Sequence, residues 1–264
     1  MSDPRFELGA SIWGFYKGQP RETWPTLDAS VASILSLDPS LGVELWASKA
    51  LDAPAVESQE LRALVEASGK AGFVTVHVRG VFWTWDPALL RKEVDFARAV
   101  GGRLVVLHPV CLGLKRPRDR MDVPEIRRLA EYAASQGVLL AIENVRDSQW
   151  VLDRILDVFG GDPKESNLGI CLDVGHAHLS RDVEGDRVRA YLERYADALV
   201  HLHLHDNHGE RDEHLAVGEG TIDWSSALQT LRRIGYRETA VLEVHGSGAP
   251  PLEALEQSLA VLCA

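Results

Sequence analysis

Cysteine is scarce in this chain of 264 residues, which has only Cys111, Cys171 and Cys263. Their number is odd and no two of them are spaced as Cys-x-x-Cys. This pattern suggests neither a disulfide framework nor a thiolate zinc knuckle. Any metal ion is therefore expected to be held by histidine, aspartate and glutamate.

Long apolar runs and an excess of positive charge are also missing. No apolar run reaches the roughly 18 residues that a transmembrane helix needs, and residues 1–21 resemble neither a signal peptide nor a transit sequence. With 28 Lys and Arg against 39 Asp and Glu, the net charge is -11, which disfavours a general attraction to nucleic acid or to an anionic membrane. We expect a soluble, cytoplasmic protein that binds no membrane.

Short runs rich in Val, Ile and Leu alternate with longer amphipathic stretches, a pattern typical of β-α units and a parallel sheet. The predicted strands lie near residues 6–12, 42–46, 72–77, 103–108, 137–143, 167–173, 199–205 and 239–244. The predicted helices lie near residues 22–37, 56–70, 86–100, 122–136, 148–160, 185–197, 223–235 and 250–262. Eight of each predict an α/β fold, a single (β/α)8 TIM-barrel domain over residues 1–264. No glycine-rich phosphate loop follows a predicted strand, which disfavours an open doubly wound sheet.

Polar residues close six of the predicted strands, at the end of the barrel where this fold builds its active sites. These residues are His77, His108, Glu143, Asp173, His203 and Glu243. Three more polar groups follow predicted strands six and seven, namely His176, Asp212 and His214. Asp206 and Asn207 either orient a ligand or form the turn after strand seven.

The seventh strand contains three histidines at alternate positions. Because side chains of a strand alternate between its faces, we expect His201, His203 and His205 to point into the barrel. The residues expected to face the helices are Val200, Leu202 and Leu204. His201 is interpreted as a deeper, structural residue, and the role of His205 stays open.

Four of the strand-end and loop groups are carboxylates, and five imidazoles surround them. The repulsion between carboxylates brought so close must be relieved by protonation, by Lys or Arg partners, or by cations. No Lys or Arg closes any of these strands. Imidazole with carboxylate and no thiolate suits Zn²⁺ or Mn²⁺ better than Ca²⁺ or Mg²⁺. One inward histidine is more often a hydrogen-bonded core residue, but nine such groups at one rim favour a divalent metal site.

Seven short motifs are informative when taken together. They are GVELW at 42–46, LHP around His108, IEN at 142–144, LDVGH at 172–176, HLHD at 203–206, GEGTID at 218–223 and LE at 242–243. At these residues the sequence resembles the xylose isomerase-like superfamily of TIM barrels, over nearly the whole chain. That superfamily includes sugar isomerases and epimerases and also the apurinic-site nuclease endonuclease IV. The motifs therefore identify the superfamily but are weak evidence for which reaction is catalysed.

The resemblance implies two sets of metal ligands. In the single-metal epimerases an ion is held by two Glu, one Asp and one His, and the matching residues are Glu143, Asp173, His203 and Glu243. In endonuclease IV further positions join these to bind three zinc ions, and the matching residues are His77, His108, His176, Asp212 and His214. All nine are present, which predicts one to three divalent ions, Zn²⁺ or Mn²⁺.

Two reactions are compatible with such a site. In an isomerase or epimerase the metal polarises a ketose carbonyl, so that a carboxylate removes the neighbouring C–H proton to form an enediolate. Glu143 and Glu243 would take and return the proton, and His176 would steady the substrate. In a hydrolase, two or three ions sharing the two glutamates would generate hydroxide for attack on a phosphodiester, with Asp212 and His214 holding the additional ion.

Four residues are predicted to bind the substrate. Trp13 and Trp46 either wall a sugar-sized pocket or pack in the barrel rim. Lys115 and Arg116 begin the basic loop KRPRDR at 115–120, which suits a phosphate or is a solvated surface. With the aromatic residues at 82–85, it would also suit nucleic acid.

The negative net charge favours a small sugar or sugar phosphate over nucleic acid as the substrate. The sequence therefore predicts a metal-dependent isomerase or epimerase of carbohydrate metabolism, with phosphodiester hydrolysis as the alternative. A barrel that binds a ligand without catalysis is disfavoured because no central carboxylate is missing. The oligomeric state stays open.

Overall fold

The computed structural model describes residues 6–17, 24–46, 59–78, 85–245 and 250–263. Eight parallel strands in these residues close into a barrel, each paired with the next along the chain and the last paired with the first. They are β1 (Glu7–Ser11), β2 (Gly42–Trp46), β3 (Val74–His77), β4 (Leu104–Leu107), β5 (Leu139–Glu143), β6 (Leu168–Asp173), β7 (Leu199–Leu204) and β8 (Thr239–Leu242). The predicted (β/α)8 barrel is confirmed.

Ten α-helices lie in the part of the chain that the structure describes. They are α1 (Leu27–Leu37), α2 (Gln59–Ser68), α3 (Pro87–Ala99), α4 (Val123–Ser135), α5 (Gln149–Phe159), α6 (Pro163–Ser166), α7 (Val174–Leu179), α8 (Arg187–Arg194), α9 (Trp224–Ile234) and α10 (Pro251–Leu262). Each of the eight predicted helical stretches contains one of them. The two additional helices, α6 and α7, have four and six residues, which is too short for hydrophobic periodicity to predict.

Side-chain capping fixes where two of these helices begin. Asp86 accepts hydrogen bonds from the backbone N–H groups of Ala88 and Leu89, and a proline occupies the first position of α3. Asp173 ends β6 and also caps α7, accepting a hydrogen bond of 2.6 Å from the backbone N–H of His176. Such a cap stabilises both the helix end and the carboxylate. The second cap therefore fixes one strand-end acid relative to a neighbouring imidazole.

The barrel separates an outer apolar core from a smaller inner one. Leu202 and Leu204 belong to the large core between strands and helices, as predicted from alternation. The inner apolar cluster fills the barrel beneath its polar rim, and its buried members are Leu104, Val106, Ala141, Cys171 and Val200. The prediction that Val200 faces the helices is therefore wrong.

A register irregularity between β6 and β7 explains the orientation of Val200. The partners on either side of it are Ile170 with Leu199 and Cys171 with His201, so β7 contains one additional residue there. A bulge of this kind breaks the alternation locally, and Val200 and His201 both lie inside the barrel. The side chain of Val200 fits inside the barrel because residue 169 is a glycine. A Cβ atom at that position would lie 2.5 Å from a methyl group of Val200.

Some predictions concern segments or properties beyond the barrel itself. Among the described residues, no helix combines the length and apolar character needed to cross a membrane. Of the aromatic segment 82–85, only Trp85 lies within the described residues, and it packs against the outer core. That one domain extends over all of residues 1–264 stays a prediction.

Candidate metal centre

Four side chains at the carboxyl ends of β5 to β8 form a compact group, called here the central cluster. Its members are Glu143, Asp173, His203 and Glu243, and one possible ligand atom from each lies within 4.8 Å of the others. All four residues are buried, with at most 4% of their surface exposed. Parallel strands of a closed barrel bring their carboxyl ends to the same rim, which is why residues so distant in sequence meet.

The two glutamates of the central cluster differ in proton affinity. Burial alone would raise the pKa of Glu143, but His108 and His203 hold it well below its ordinary value. Burial raises the pKa of Glu243 to about 7, with His203 opposing this shift and the charge of Glu143 reinforcing it. Carboxyl groups whose pKa values are pushed apart in one site suit the roles of proton acceptor and proton donor.

Glu143 also belongs to a second group, called here the His77 cluster, which consists of His77, His108 and Glu143. The Nε2 atoms of His77 and His108 lie 3.0 Å and 2.9 Å from Oε2 of Glu143. The indole of Trp46 stacks on the His77 ring, with ring centroids 4.8 Å apart. One oxygen of Glu143 thus faces two imidazoles, while Oε1 lies 3.4 Å from Nδ1 of His203 in the central cluster.

A third group, called here the Asp212 cluster, consists of His176, Asp212 and His214. Oδ2 of Asp212 lies 3.3 Å from Nε2 of His176 and 3.2 Å from Nε2 of His214. His176 connects this group to the central cluster, because its Nδ1 lies 3.5 Å from oxygens of both Glu143 and Asp173. The backbone φ of His214 is 49°, a left-handed conformation that is uncommon outside glycine and concentrates at functional sites.

The hydrogen bonds of three imidazoles test whether this donor set fits a metal ion. In His77, His176 and His214, Nδ1 lies within hydrogen-bond distance of a backbone carbonyl oxygen. The acceptors, in the same order, are the carbonyls of Val78 at 2.8 Å, Asn144 at 2.9 Å and Glu243 at 2.8 Å. Because a carbonyl oxygen only accepts, each Nδ1 bears a proton, and in the neutral ring Nε2 presents a lone pair. That Nε2 faces a carboxylate oxygen in all three cases.

A lone pair that faces a carboxylate is repelled unless a proton or a cation lies between them. At His77 a proton suffices, since burial lowers its pKa but the bond to Glu143 raises it to about 9. At His214 burial and the neighbouring His205 lower the pKa to about 4, so Nε2 lacks a proton at neutral pH although it faces Asp212. Metal-binding histidines characteristically donate their other N–H to a protein oxygen, and the buried clusters are consistent with a divalent ion.

All nine predicted metal ligands lie in these three clusters. The structure therefore brings together residues from six strand ends, from α7 and from the loop after β7, as the strand-end pattern indicated. Which of them bind an ion, and which ion, stays a prediction.

Seven of the nine cluster residues, all except Asp173 and His203, line a cavity of about 700 Å³. Trp13 and Trp46 line it as well, with ring centroids 6.0 Å apart. Trp13 also contacts the His214 ring at a centroid distance of 4.4 Å. Both tryptophans thus border the cavity and pack against candidate ligands, which combines the two alternatives that the sequence left open.

The basic loop contributes to the cavity through one of its two predicted residues. Lys115 lines it, as does Lys17, which sequence reasoning missed. Arg116 is not among the described lining residues. Its backbone N–H and that of Lys115 each donate a hydrogen bond of 2.7 Å to Oδ2 of Asp119, so the loop folds into a turn with the Arg116 side chain exposed.

Asp206 forms the turn after β7 and holds the loop that follows. Its buried carboxylate accepts hydrogen bonds from four N–H groups. The donors are the backbone N–H groups of Asn207 at 2.8 Å, Gly218 at 3.0 Å and Ile222 at 3.2 Å, and the indole N–H of Trp224 at 2.8 Å. Since this loop contains Asp212 and His214, Asp206 positions the Asp212 cluster without belonging to it.

Replacing this carboxylate should destabilise the fold. In Asp206→Ala four N–H groups lose a buried, charged acceptor, and we expect the free energy of unfolding to fall by about 3 to 5 kcal/mol. Urea denaturation followed by circular dichroism measures the change. Asp223→Ala is a matched control, because it removes only the surface N-cap of α9 and should cost about 1 kcal/mol. Equal losses in the two variants would contradict the role of Asp206.

Sequence reasoning missed Glu44, which lies inside the barrel on β2 and is fully buried. The signal was present, because alternation in GVELW places Glu44 opposite to Val43 and Leu45, which belong to the outer core. Sequence reasoning also left Cys171 out of the site, although it forms a further group with His201 and His203. Burial raises the pKa of the Cys171 thiol, so this thiol is neutral at ordinary pH.

The comparison with known sequences gives one family and several partial relatives. Residues 40–264 match the family model described as xylose isomerase-like TIM barrel. The chain is 33% identical over 156 residues to the uncharacterized protein MJ1311 of Methanocaldococcus jannaschii, covering 56% of this chain and 52% of that protein. It is 27% identical over 161 residues to a probable endonuclease 4 of Thermoplasma acidophilum, and the match covers 52% of this chain and 54% of that protein. It is also 27% identical over 168 residues to an L-ribulose 3-epimerase of a Methylomonas species, covering 60% and 56%. The chain spans about half the length of the curated relatives it matches.

Solved structures share the fold over almost the whole chain. A D-tagatose 3-epimerase-like protein superposes with a TM-score of 0.69 at 20% identity, covering 98% of this chain and 96% of that one. An L-ribulose 3-epimerase superposes with a TM-score of 0.72 at 15% identity, covering 98% and 93%. The matched family model, the closed barrel and the retained motifs agree, and the chain belongs to the xylose isomerase-like TIM barrel family.

Proposed function

We propose that this protein is a divalent-metal-dependent epimerase or isomerase of a sugar or sugar phosphate. The observation that carries the proposal is the central cluster of two glutamates, an aspartate and an imidazole, whose glutamates line a cavity with aromatic walls. Sugar 3-epimerases among the proteins of similar fold, and one among the sequence relatives, support it. So does the net charge of -11, which opposes a polyanionic substrate.

Glu143, Asp173, His203 and Glu243 are the residues that would hold the ion. When bound, a Zn²⁺ or Mn²⁺ ion supplies Lewis acidity, which lowers the pKa of a C–H group next to a substrate carbonyl. Glu143, which is ionised, would accept that proton. Glu243, whose pKa lies near 7, would exchange a proton with the substrate carbon at neutral pH.

The remaining cavity residues would orient the substrate. His176 lies between the central cluster and the cavity, where it would contact a sugar hydroxyl or carbonyl. Trp13 and Trp46 offer apolar faces for the sugar ring. Lys115 and Lys17 line the cavity, and their charges suit a phosphate or another anionic substituent.

Solvent exchange tests the proposed reaction across a panel of candidate sugars. We would incubate the metal-loaded protein with ketopentoses, ketohexoses and their phosphates in D₂O. Deuterium should appear at a carbon next to the carbonyl of one sugar, as seen by proton NMR, because a C–H proton that passes through a carboxyl group exchanges with solvent. A lack of exchange in every sugar, with metal bound, would contradict the proposal.

A second candidate function is multinuclear hydrolysis of a phosphodiester. The observation in its favour is that the His77 and Asp212 clusters are also assembled, with His77, His176 and His214 anchored through Nδ1. Two or three ions in such an arrangement would activate water and stabilise the leaving oxygen. The partial match to a probable endonuclease 4 is in line with this alternative.

Asp212→Ala separates the two functions. Asp212 lies outside the central cluster, so we expect sugar exchange to change no more than a few-fold, whereas phosphodiester cleavage should fall by roughly 100-fold or more because an ion loses its ligand. The assays are the NMR exchange experiment and cleavage of a duplex with an abasic site. Glu213→Ala is the control, since Glu213 lies in the same loop and bonds to His208 instead. A large loss of sugar exchange in Asp212→Ala alone would contradict the single-ion mechanism.

A further inference from the structure

Glu44 is a buried acid beneath the central cluster that the proposed reaction does not use. It is fully buried in the middle of β2. Its Oε2 accepts a hydrogen bond of 3.2 Å from the hydroxyl of Thr75 and lies 3.2 Å from Nε2 of His203 and 3.4 Å from Nε2 of His201.

The contact with Glu44 determines which nitrogen of His203 faces the central cluster. Oε2 of Glu44 accepts from the hydroxyl of Thr75, so Nε2 of His203 is the donor of the 3.2 Å contact, and Nδ1 is the nitrogen that faces the central cluster and would give its lone pair to a bound ion. Nδ1 lies 3.4 Å from oxygens of both Glu143 and Glu243 and 3.9 Å from Asp173. It is buried and has no hydrogen-bond partner among the described residues, which leaves a polar atom whose burial is costly.

The distances around this nitrogen leave a gap that an ion shared by these atoms would fill. Nδ1 of His203 lies 3.4 Å from oxygens of Glu143 and Glu243 and 3.9 Å from Asp173. A hydrogen bond would instead bring one oxygen to about 2.9 Å.

We propose that Glu44 is a positioning residue that acts through His203. It holds the proton on Nε2, orients the ring and thereby keeps Nδ1 unprotonated and directed at the ion of the central cluster. His77, His176 and His214 are anchored by neutral backbone carbonyls, whereas His203 is anchored by a carboxylate. A carboxylate makes the imidazole a more basic ligand. The inference rests on the metal centre of the proposed function and is independent of the reaction catalysed there.

Thr75 and two histidines of β7 surround one oxygen of Glu44. The hydroxyl of Thr75 on β3 donates to Oε2. Nδ1 of His201 lies 2.7 Å from Oγ1 of Thr239 on β8, which orients the ring, and its Nε2 lies 3.4 Å from Oε2 without a hydrogen bond among the described residues. Residues of β3 and β7 thus surround this oxygen of an acid on β2, and a supporting residue of a metal site needs such a packed setting.

Glu44→Gln tests the inference through metal affinity. We expect the dissociation constants for Zn²⁺ and Mn²⁺, measured by competition with a chromophoric chelator, to rise 10-fold to 100-fold. The midpoint of thermal unfolding of the metal-free protein should fall, because His203 and His201 lose the charge of a buried partner, so the competition is measured at a temperature where both proteins are folded. A merely structural role predicts a lower midpoint with unchanged affinity, and unchanged dissociation constants in the folded variant would overturn the proposal.

A matched variant and a direct measurement complete the test. Glu93→Gln also replaces a fully buried glutamate, on α3 and outside the three clusters, and should leave both dissociation constants unchanged. In the metal-loaded wild-type protein, ¹⁵N NMR of the histidines should show His203 with a proton on Nε2 and the ion on Nδ1. The reverse assignment would overturn the proposal even if Glu44→Gln did not fold.

The same measurements distinguish this inference from the proposed function. A wild-type protein that binds neither Zn²⁺ nor Mn²⁺ would overturn the metal centre and Glu44 together. Wild-type binding with an unchanged dissociation constant in Glu44→Gln would overturn the role of Glu44 alone. Wild-type binding without exchange of any sugar would leave the Glu44 inference standing and contradict the epimerase.

Discussion

Glu143→Gln is expected to abolish activity, with kcat/KM lower by about 10³-fold or more. Glu143 is the member that two clusters share, since its Oε2 faces His77 and His108 and its Oε1 faces His203. Glutamine has nearly the same shape but replaces one of these oxygens with an N–H₂ group and removes the charge. The site then loses both a ligand and a proton acceptor. The expectation holds for the epimerase and for the hydrolase.

The experiment compares kinetics, bound metal and stability in one set of samples. Glu143→Gln should bind less metal by elemental analysis, and its metal-free form should unfold at a lower temperature than metal-free wild type because His77 and His108 lose the charge of a buried partner. Glu165→Gln, on the surface of α6, is the control and should resemble wild type in every measurement. Unchanged turnover in Glu143→Gln would defeat both mechanisms.

Removal of the metal has the second large expected effect. Dialysis against dipicolinate should eliminate activity, because without an ion the substrate C–H group, or the attacking water, keeps its high pKa. Adding back Zn²⁺ or Mn²⁺ should restore it. The loaded protein should also unfold at a higher temperature than the metal-free one, since an ion that binds only the folded state stabilises it.

The number of ions per chain decides between the two functions. One ion per chain, counted by elemental analysis of the reactivated protein, supports the epimerase, in which the central cluster suffices. Three ions support the hydrolase, in which the His77 and Asp212 clusters are filled as well. Full activity of a protein shown to be free of metal would contradict both.

Much of the site was predictable because, in a barrel, the position of a residue along its strand determines which end of the barrel it lies at. A polar residue at the carboxyl end of a buried parallel strand has one location, the rim, whichever strand it follows. For this reason Glu143 on β5 and Glu243 after β8, one hundred positions apart, could be assigned to one cluster without any contact information. The same reasoning placed Asp212 and His214 beside them, in the loop after β7.

Other features depend on details that periodicity does not record. Val200 lies inside the barrel because β7 contains a bulge against β6, and a bulge shifts the alternation by one residue. Glu44 was overlooked because it lies in mid-strand and not at a strand end, although alternation alone directed it inward. Arg116 begins the basic loop, but hydrogen bonds to Asp119 fold that loop into a turn outside the cavity lining.

The amino-acid sequence by itself determined the barrel, its eight strands and the collection of acids and imidazoles at one rim, because strand periodicity and strand ends are local properties of the chain. Only the tertiary structure decided which nitrogen of each imidazole faces the carboxylates and which buried acid supports His203. For His176, His203 and His214 those choices depend on hydrogen bonds to residues distant in sequence, such as Glu44 with His203.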